Sequence, residues 1–403
     1  MTDTASTPRN AFPMARSCPY DPPDGYAALR AAPTISQVTL PSGRSAWLVA
    51  SHADARALLA DPRLSISREN PGFPSIVEMR EAPDLKVTPS LIGLDPPEHT
   101  ALRRPVITEF TVKRIRGMGP GIQRIVDEHI DAMLAAEKPV DLVASLAMPV
   151  PSLVICDLLG VPYSDHGFFQ ERSGAMLNLT LRPEQRHAAL SDLSNYMDKL
   201  VTRAEAAPGD DLIGRLIVKT RETGEYDHDQ TRDLARLLLL AGHETTANMI
   251  SLGTVALLNN PEQLDELKAD SSLWPNAVEE LLRYFTIADF VPARTALADI
   301  EVGGVTIREG EGVILLTASA DRDEAAFEDP DALDIHRAAR HHLAFGYGVH
   351  QCLGQNLARL ELEIVYRTLF DRIPDLRVAV PEEELPFKHD SFIYGMHALP
   401  VTW

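Results

Sequence analysis

One cysteine, set between a glycine-rich turn and a helix, limits what this chain can fold into more than any other feature. The run is Phe345-Gly346-Tyr347-Gly348-Val349-His350-Gln351-Cys352-Leu353-Gly354, and apolar periodicity predicts a helix from Leu353 to about Asp371. A thiolate at that junction lies near the positive end of the helix dipole, beside backbone N–H groups that the helix leaves unpaired. Both lower a thiol pKa and favour S⁻ as a metal ligand. Gly346, Gly348 and Gly354 carry no Cβ, so the turn is free to be tight and a large flat ligand can approach the backbone. Cys18 and Cys156 lie far away in the sequence, so neither a disulfide nor a four-cysteine zinc or iron–sulfur site is signalled. One thiolate, a glycine-rich approach and a following helix point to an axial ligand for a haem iron.

No Gly/Ser linker, composition break or fixed-period repeat divides the 403 residues. The 30 prolines are scattered as helix boundaries and turns, so one large, mostly helical domain spanning 1–403 is the expectation. About 45% apolar residues suffice for a sizeable core that encloses a cofactor. The net charge of −20, from 38 basic and 58 acidic side chains, argues against nucleic-acid binding, which needs a basic stripe. It also disfavours docking on an anionic membrane. The amino terminus, with Pro8, Pro13, Pro19, Pro22 and Pro23, carries neither a signal-peptide core nor an anchor. The longest strongly apolar stretch, Leu237 to Gly242, falls far short of the ~18 residues a spanning helix needs. Three scattered cysteines fit a reducing compartment, and the expectation is a soluble, cytoplasmic, monomeric protein.

Asp95-Pro96-Pro97-Glu98 reads as a helix start, with Asp95 as N-cap, Pro96 at N1 and Glu98 at N3. On that helix His99 and Arg103 are four residues apart and share a face, where a His and an Arg side by side form a carboxylate clamp. The segment from about Asp229 to Asn259 is the longest helix predicted, ended by Asn259-Asn260-Pro261. Its centre, Leu240-Ala241-Gly242-His243-Glu244-Thr245-Thr246, places a glycine and two threonines where a helix disfavours them, which suggests a functional kink. His243-Glu244 is not a zinc-protease motif, because position 247 is Ala where a second His is needed.

At every fixed position the cysteine run resembles the haem-binding signature of the cytochromes P-450, Phe-Gly-x-Gly-x-His-x-Cys-x-Gly. That family is the standard case of cysteine-ligated haem. The resemblance extends from Trp47-Leu48-Val49 to Pro400-Val401-Thr402-Trp403, with the motifs in the family's order, and is nearest to soluble actinobacterial members. It implies a mainly α fold with small β-sheets, a single cytochrome P-450 domain shaped as a triangular prism. The haem, iron-protoporphyrin IX (haem b), would lie between the long central helix and the helix after the cysteine loop.

By resemblance Cys352 is the iron ligand, while His99, Arg103, Arg294 and His350 contact the haem propionates. A buried slot for two carboxylates needs such cations, because an unpaired buried charge is costly. Arg294 precedes a strand-like region that includes Ile300 to Ile307. Ala241-Gly242-His243-Glu244-Thr245-Thr246 resembles the family's distal motif, in which the carboxylate of Glu244 and the hydroxyl of Thr245 relay protons to dioxygen. Glu280-x-x-Arg283 with Arg337 matches a charge network that serves folding and cofactor retention; Leu333 stands where an aromatic is more usual. His341 and His342 read as surface residues.

The activity implied is insertion of one oxygen atom from O2 into a C–H bond of a hydrophobic small molecule. No Gly-x-Gly-x-x-Gly fingerprint or flavin module is present, so electrons would come from a ferredoxin and its NAD(P)H-dependent reductase. Arg104, Arg114, Arg340 and Arg359 are candidates for a local basic docking patch. Substrate contacts are expected in the loops 68–92, 168–186, 287–291 and 392–395. These offer Phe73, Ile76, Met79, Met176, Leu177, Leu179, Ile287, Phe290, Val291, Phe392 and Ile393. Apolar loops of that kind favour a sizeable macrolide, polyene, terpenoid or steroid-like molecule. Two other readings remain: a peroxide-driven haem peroxygenase, against which the intact Glu244–Thr245 pair argues, and a non-catalytic haem binder, for which the chain is large.

Overall fold

Asp227 starts the longest helix by accepting the N–H of Gln230 on its carboxylate (2.8 Å), and the helix then runs from His228 to Leu258. Asn260 and Pro261 end it, the Asn260 side chain bonding back to the Ala256 carbonyl and Pro261 opening the next helix at its first position. The structure is a computed structural model that describes residues 12–76, 91–178, 180–288, 292–389 and 391–403. The central helix is buried on most of its circumference, as expected of an apolar helix with neighbours on all sides. Helices Pro149–Leu159, Pro183–Ala206 and Gln355–Arg372 pack against it. It is continuous through Leu240–Thr246, where the Thr245 hydroxyl donates to the Ala241 carbonyl (2.7 Å).

The cysteine helix, Gln355–Arg372, begins two residues later than the periodicity predicts because Gly354 is its N-cap. It lies against Val112–Ala135 and Trp274–Phe285 as well as the central helix. Its Tyr366 hydroxyl reaches the Met249 carbonyl. Gly253 makes that approach feasible: a Cβ there would sit 2.1 Å from the Tyr366 hydroxyl oxygen.

The strands are short and peripheral. A five-stranded sheet has the spatial order Ser36–Thr39, Ser45–Val49, Gly312–Leu315, Ala293–Ala296, Leu64–Ser65. Only the 45–49 and 312–315 strands run parallel, pairing Ala46 with Gly312. The expected strand region after Arg294 is a hairpin, Ile300–Val302 with Val305–Ile307, turned by Gly303 and Gly304 at φ +53° and +76°. Val140–Asp141, Pro400–Thr402 and Arg377–Val378 form a small second sheet. Among the described residues no helix is long and apolar enough to cross a membrane.

The helix start at Asp95 differs from the sequence reading. The Pro96–Pro97 peptide is cis and the helix runs Glu98–Val106 with Pro97 as N-cap. The Asp95 carboxylate instead accepts from the Ser65 hydroxyl and from the Ile66 N–H (2.9 Å), pinning the end of the five-stranded sheet to this helix.

Candidate active site

The glycines of the cysteine run do two different things. Gly346 and Gly348 hold φ at +66° and +75°, which L side chains rarely adopt. Gly348 is also crowded, since a Cβ there would sit 2.8 Å from the Leu59 carbonyl oxygen, while Gly346 faces open space. The Cys352 N–H donates to the Phe345 carbonyl (2.8 Å) and closes the loop. Burial pushes the Cys352 thiol up. The N–H groups of Gly354 and Gln355 and the Arg103 and Arg359 guanidinium groups pull it down without reversing the direction. Sequence reasoning counted the helix end and not the burial. Coordination to a metal ion would deprotonate such a thiol outright.

His99, Arg103, Arg294 and His350 converge beside this loop. Arg103 donates to the carbonyl of Gln351, the residue before Cys352. The His99 and His350 rings lie 4.2 Å apart between centroids. Burial, then the nearby His99 and Arg294, push the His350 imidazole down to about 4. Arg294, on the strand Ala293–Ala296, is 4% exposed, and among the described residues its side chain bonds only the Ala293 carbonyl (2.9 Å). Burial brings its guanidinium down to about 10, with Asp95 alone acting in the other direction. His99 is 1% exposed, and neither ring nitrogen has a hydrogen-bond partner among the described residues. Orphaned buried ring nitrogens and a buried cation with no ion-pair partner among the described residues fit a ligand bearing two carboxylates, and a single half-buried thiol fits an iron that takes one protein ligand. Among the described residues no three His, Cys, Asp or Glu side chains cluster as a metal site of their own.

On the central helix Ala241 is exposed and Leu237, Leu240 and Thr245 are partly so, an accessible stripe midway along a helix that is mostly buried beyond its first turn. Glu244 is not on that stripe. It is 5% exposed, and its carboxylate accepts from Lys388 Nζ (2.5 Å). Sequence reasoning missed Lys388, which lies 144 positions away with no periodic or motif context to mark it. His243 is buried, its Nδ1 donating to the Leu239 carbonyl and its Nε2 meeting the Ser173 hydroxyl (both 2.8 Å).

Behind the cysteine loop, Arg283 forms two 2.7 Å bonds with Glu280, which also accepts from Arg337 (3.1 Å); the three residues of the expected network meet. His342 is a correction: it is 7% exposed, not a surface residue. It accepts the Ala344 N–H on Nδ1 (3.2 Å) and bonds Glu279 through Nε2 (3.1 Å). Glu279 also takes two bonds from Arg359 (2.7 and 3.0 Å), whose guanidinium lies over the Phe345 ring at 4.6 Å. Burial opposes its ionisation, but the His342 and Arg359 bonds outweigh that and hold the carboxyl down at about 2. Arg359 is thus committed, as are Arg104 to Glu225 (2.7 Å) and Arg114 to Glu109 (2.9 Å). Of the four arginines expected at a docking patch, Arg340 alone has no ion pair among the described residues.

Loops distant in sequence meet around the segment 387–396. Phe392 N–H donates to the Leu177 carbonyl (3.3 Å), Ser391 pairs with Asn178, and Tyr394 N–H donates to the Ile287 carbonyl (3.0 Å). Met176, Leu177 and Phe392 are partly exposed there, whereas Ile287 and Ile393 are in the core. Ile76 packs with the cluster under the five-stranded sheet, and Arg44 holds the Phe73 carbonyl (3.5 Å). Met79, Leu179, Phe290 and Val291 lie outside the described residues.

A cysteine loop feeding one helix, a long buried helix beside it and a group of arginine and histidine side chains together have the make-up of a haem-thiolate protein. The Cytochrome P450 family model matches residues 175–392. A vitamin D3 dihydroxylase of Streptomyces griseolus is 53% identical over 412 aligned positions, covering 100% of both chains. The crystal structure of cytochrome P450 MoxA from Nonomuraea recticatena superposes with a TM-score of 0.90 at 55% identity, covering 98% of each chain. That of the mycinamicin VIII C21 methyl hydroxylase from Micromonospora griseorubida, bound to mycinamicin VIII, gives 0.92 at 44%, covering 98% of this chain and 100% of the other. The chain belongs to the cytochrome P450 family, and it is a haem-dependent oxidoreductase of the monooxygenase type.

Proposed function

We propose that this enzyme inserts one oxygen atom of O2 into a C–H bond of a fairly large hydrophobic molecule, acting as one cytoplasmic, monomeric domain over 1–403. The observation that carries the cofactor reading is the convergence of His99, Arg103, Arg294 and His350 on the loop of Cys352. Cys352 would ligate the iron of haem b, and these two arginines and two imidazoles would hold its propionates. Bound there, the haem supplies the activation of O2 and the oxidising power, tuned by the thiolate.

The residues of the chain supply position and protons. Thr245, accessible on the central helix and bonded to the Ala241 carbonyl, can turn its hydroxyl to donate to a reacting oxygen. Glu244, one residue earlier, is the carboxylate that would resupply that proton. Leu237, Leu240 and Ala241 on the same helix, with Met176, Leu177 and Phe392 from the loops, would exclude water and seat an apolar substrate. Relatives named for vitamin D3 and for mycinamicin VIII support a substrate of that size and polarity.

Electrons would come from a ferredoxin and its NAD(P)H-dependent reductase. A surface basin of about 400 Å³ at the start of the cysteine helix, lined by Arg116, Arg340 and Glu363 and by the paired Glu279 and Arg359, is where an acidic ferredoxin would dock through Arg116 and Arg340. The test is the carbon-monoxide difference spectrum of the reduced protein. A band near ~450 nm is expected for a thiolate ligand, and its persistence in Cys352→Ala would refute the assignment.

A further inference from the structure

We propose that Lys388 is a positioning residue that holds the Glu244 carboxylate and ties the proton-handling turn of the central helix to the loop segment 387–396. The inference rests on the proton-relay reading of Glu244 and Thr245. Lys388, 8% exposed, donates to Glu244 (2.5 Å) and to the Asn248 side-chain oxygen (3.0 Å), two residues one helical turn apart. It is the one cation within ion-pair distance of Glu244 among the described residues. The other titratable neighbour on the helix, His243, is kept neutral by burial and points to Leu239 and Ser173.

The segment carrying Lys388 is built to sit against this turn. Phe387 pairs with Met396, and the Lys388 N–H donates to the Gly395 carbonyl (2.8 Å). Gly395 touches Asn248 so closely that a Cβ would lie 2.1 Å from its side-chain oxygen. Beyond Lys388 the same segment bonds Leu177, Asn178 and Ile287, backbone to backbone. One buried ammonium therefore joins the relay carboxylate to the segment that meets the pocket loops. A buried ion pair that loses one member leaves an uncompensated charge, so neither side can move without cost to the other.

The test uses the holoenzyme with a ferredoxin, its reductase, NADPH and vitamin D3 as probe. It reads the fraction of electrons released as hydrogen peroxide, two electrons and two protons per molecule, and the solvent deuterium isotope effect on oxygen consumption. Lys388→Met should raise the peroxide fraction at least threefold and enlarge the isotope effect, and Lys388→Arg should restore both. Independently of turnover, Lys388→Met should speed amide hydrogen exchange at 388–396 at least tenfold in the resting ferric protein. In the Glu244→Gln background, where no carboxylate remains uncompensated, adding Lys388→Met should change neither peroxide fraction nor isotope effect further. If Glu244→Gln is altered in both but Lys388→Met behaves as wild type, or if the two effects simply add, the role of Lys388 is refuted. If Glu244→Gln itself behaves as wild type, the relay reading falls and takes the proposal with it.

Discussion

Arg294→Met should move two properties in opposite directions. The guanidinium is 4% exposed and makes no ion pair with a carboxylate among the described residues; burial brings it down to about 10, with Asp95 opposing only in part. A depression of that size corresponds to about 3 kcal/mol spent on keeping the charge in the slot. Methionine keeps the unbranched apolar stem and removes the charge. The haem-free chain should therefore gain about 1–3 kcal/mol in urea unfolding followed by circular dichroism. The loaded enzyme should lose a charge-assisted bond worth about 1.5–3 kcal/mol, releasing haem to apomyoglobin roughly 10- to 100-fold faster. Arg294→Lys, which keeps the charge, should fall between. A Met variant that destabilises the haem-free chain by more than about 1 kcal/mol, or that retains haem like wild type, would refute the idea that Arg294 is an uncompensated cation awaiting an anionic ligand.

Two further predictions concern the cysteine loop and its support. Glu279 has a carboxyl held down at about 2 in the fold, so its contribution is full above the unfolded value near 4.5 and is lost as pH falls from there to 2. Glu279→Gln should cost about 2–3 kcal/mol at pH 7 and flatten the acid limb of a stability–pH curve between 4.5 and 2, both read by urea titration. Gly348→Ala combines a positive φ with a collision against the Leu59 carbonyl, whereas Gly346→Ala has the φ alone. Thermal unfolding should show the first costing about 2–3 kcal/mol and the second about 1 kcal/mol, and equal losses would mean the close approach does not matter.

The features legible in the sequence were those whose partners lie within a turn or two. Cys352 with its flanking glycines, His99 with Arg103 and Glu280 with Arg283 are local patterns, and the long helix declares itself through its apolar run and the Asn-Asn-Pro stop. What escaped depends on contacts between distant segments. Lys388 is an isolated lysine until the fold brings it to Glu244. His342 beside a cationic, glycine-rich run reads as exposed, yet Glu279, 63 positions earlier, takes it into the interior. The Asp95 carboxylate suits an N-cap locally but is drawn away by Ser65 and Ile66. At Asp95 these long-range polar bonds outweigh a local capping preference worth about 1 kcal/mol.

The parallel pairing of strands 45–49 and 312–315 has a consequence for how the chain is made. Ala46 leaves the ribosome about 266 positions before Gly312, its register partner. At roughly 5–20 residues per second this is a wait of about 15–50 s. During that time strand 45–49 is held by 36–39 alone, a two-stranded hairpin that is marginal in water. Its inner edge, carrying Leu48 and Val49, stays open to any passing strand. Yield in a heterologous host should therefore depend on translation speed and on chaperones that shield nascent β edges, well before the cysteine helix has been synthesised.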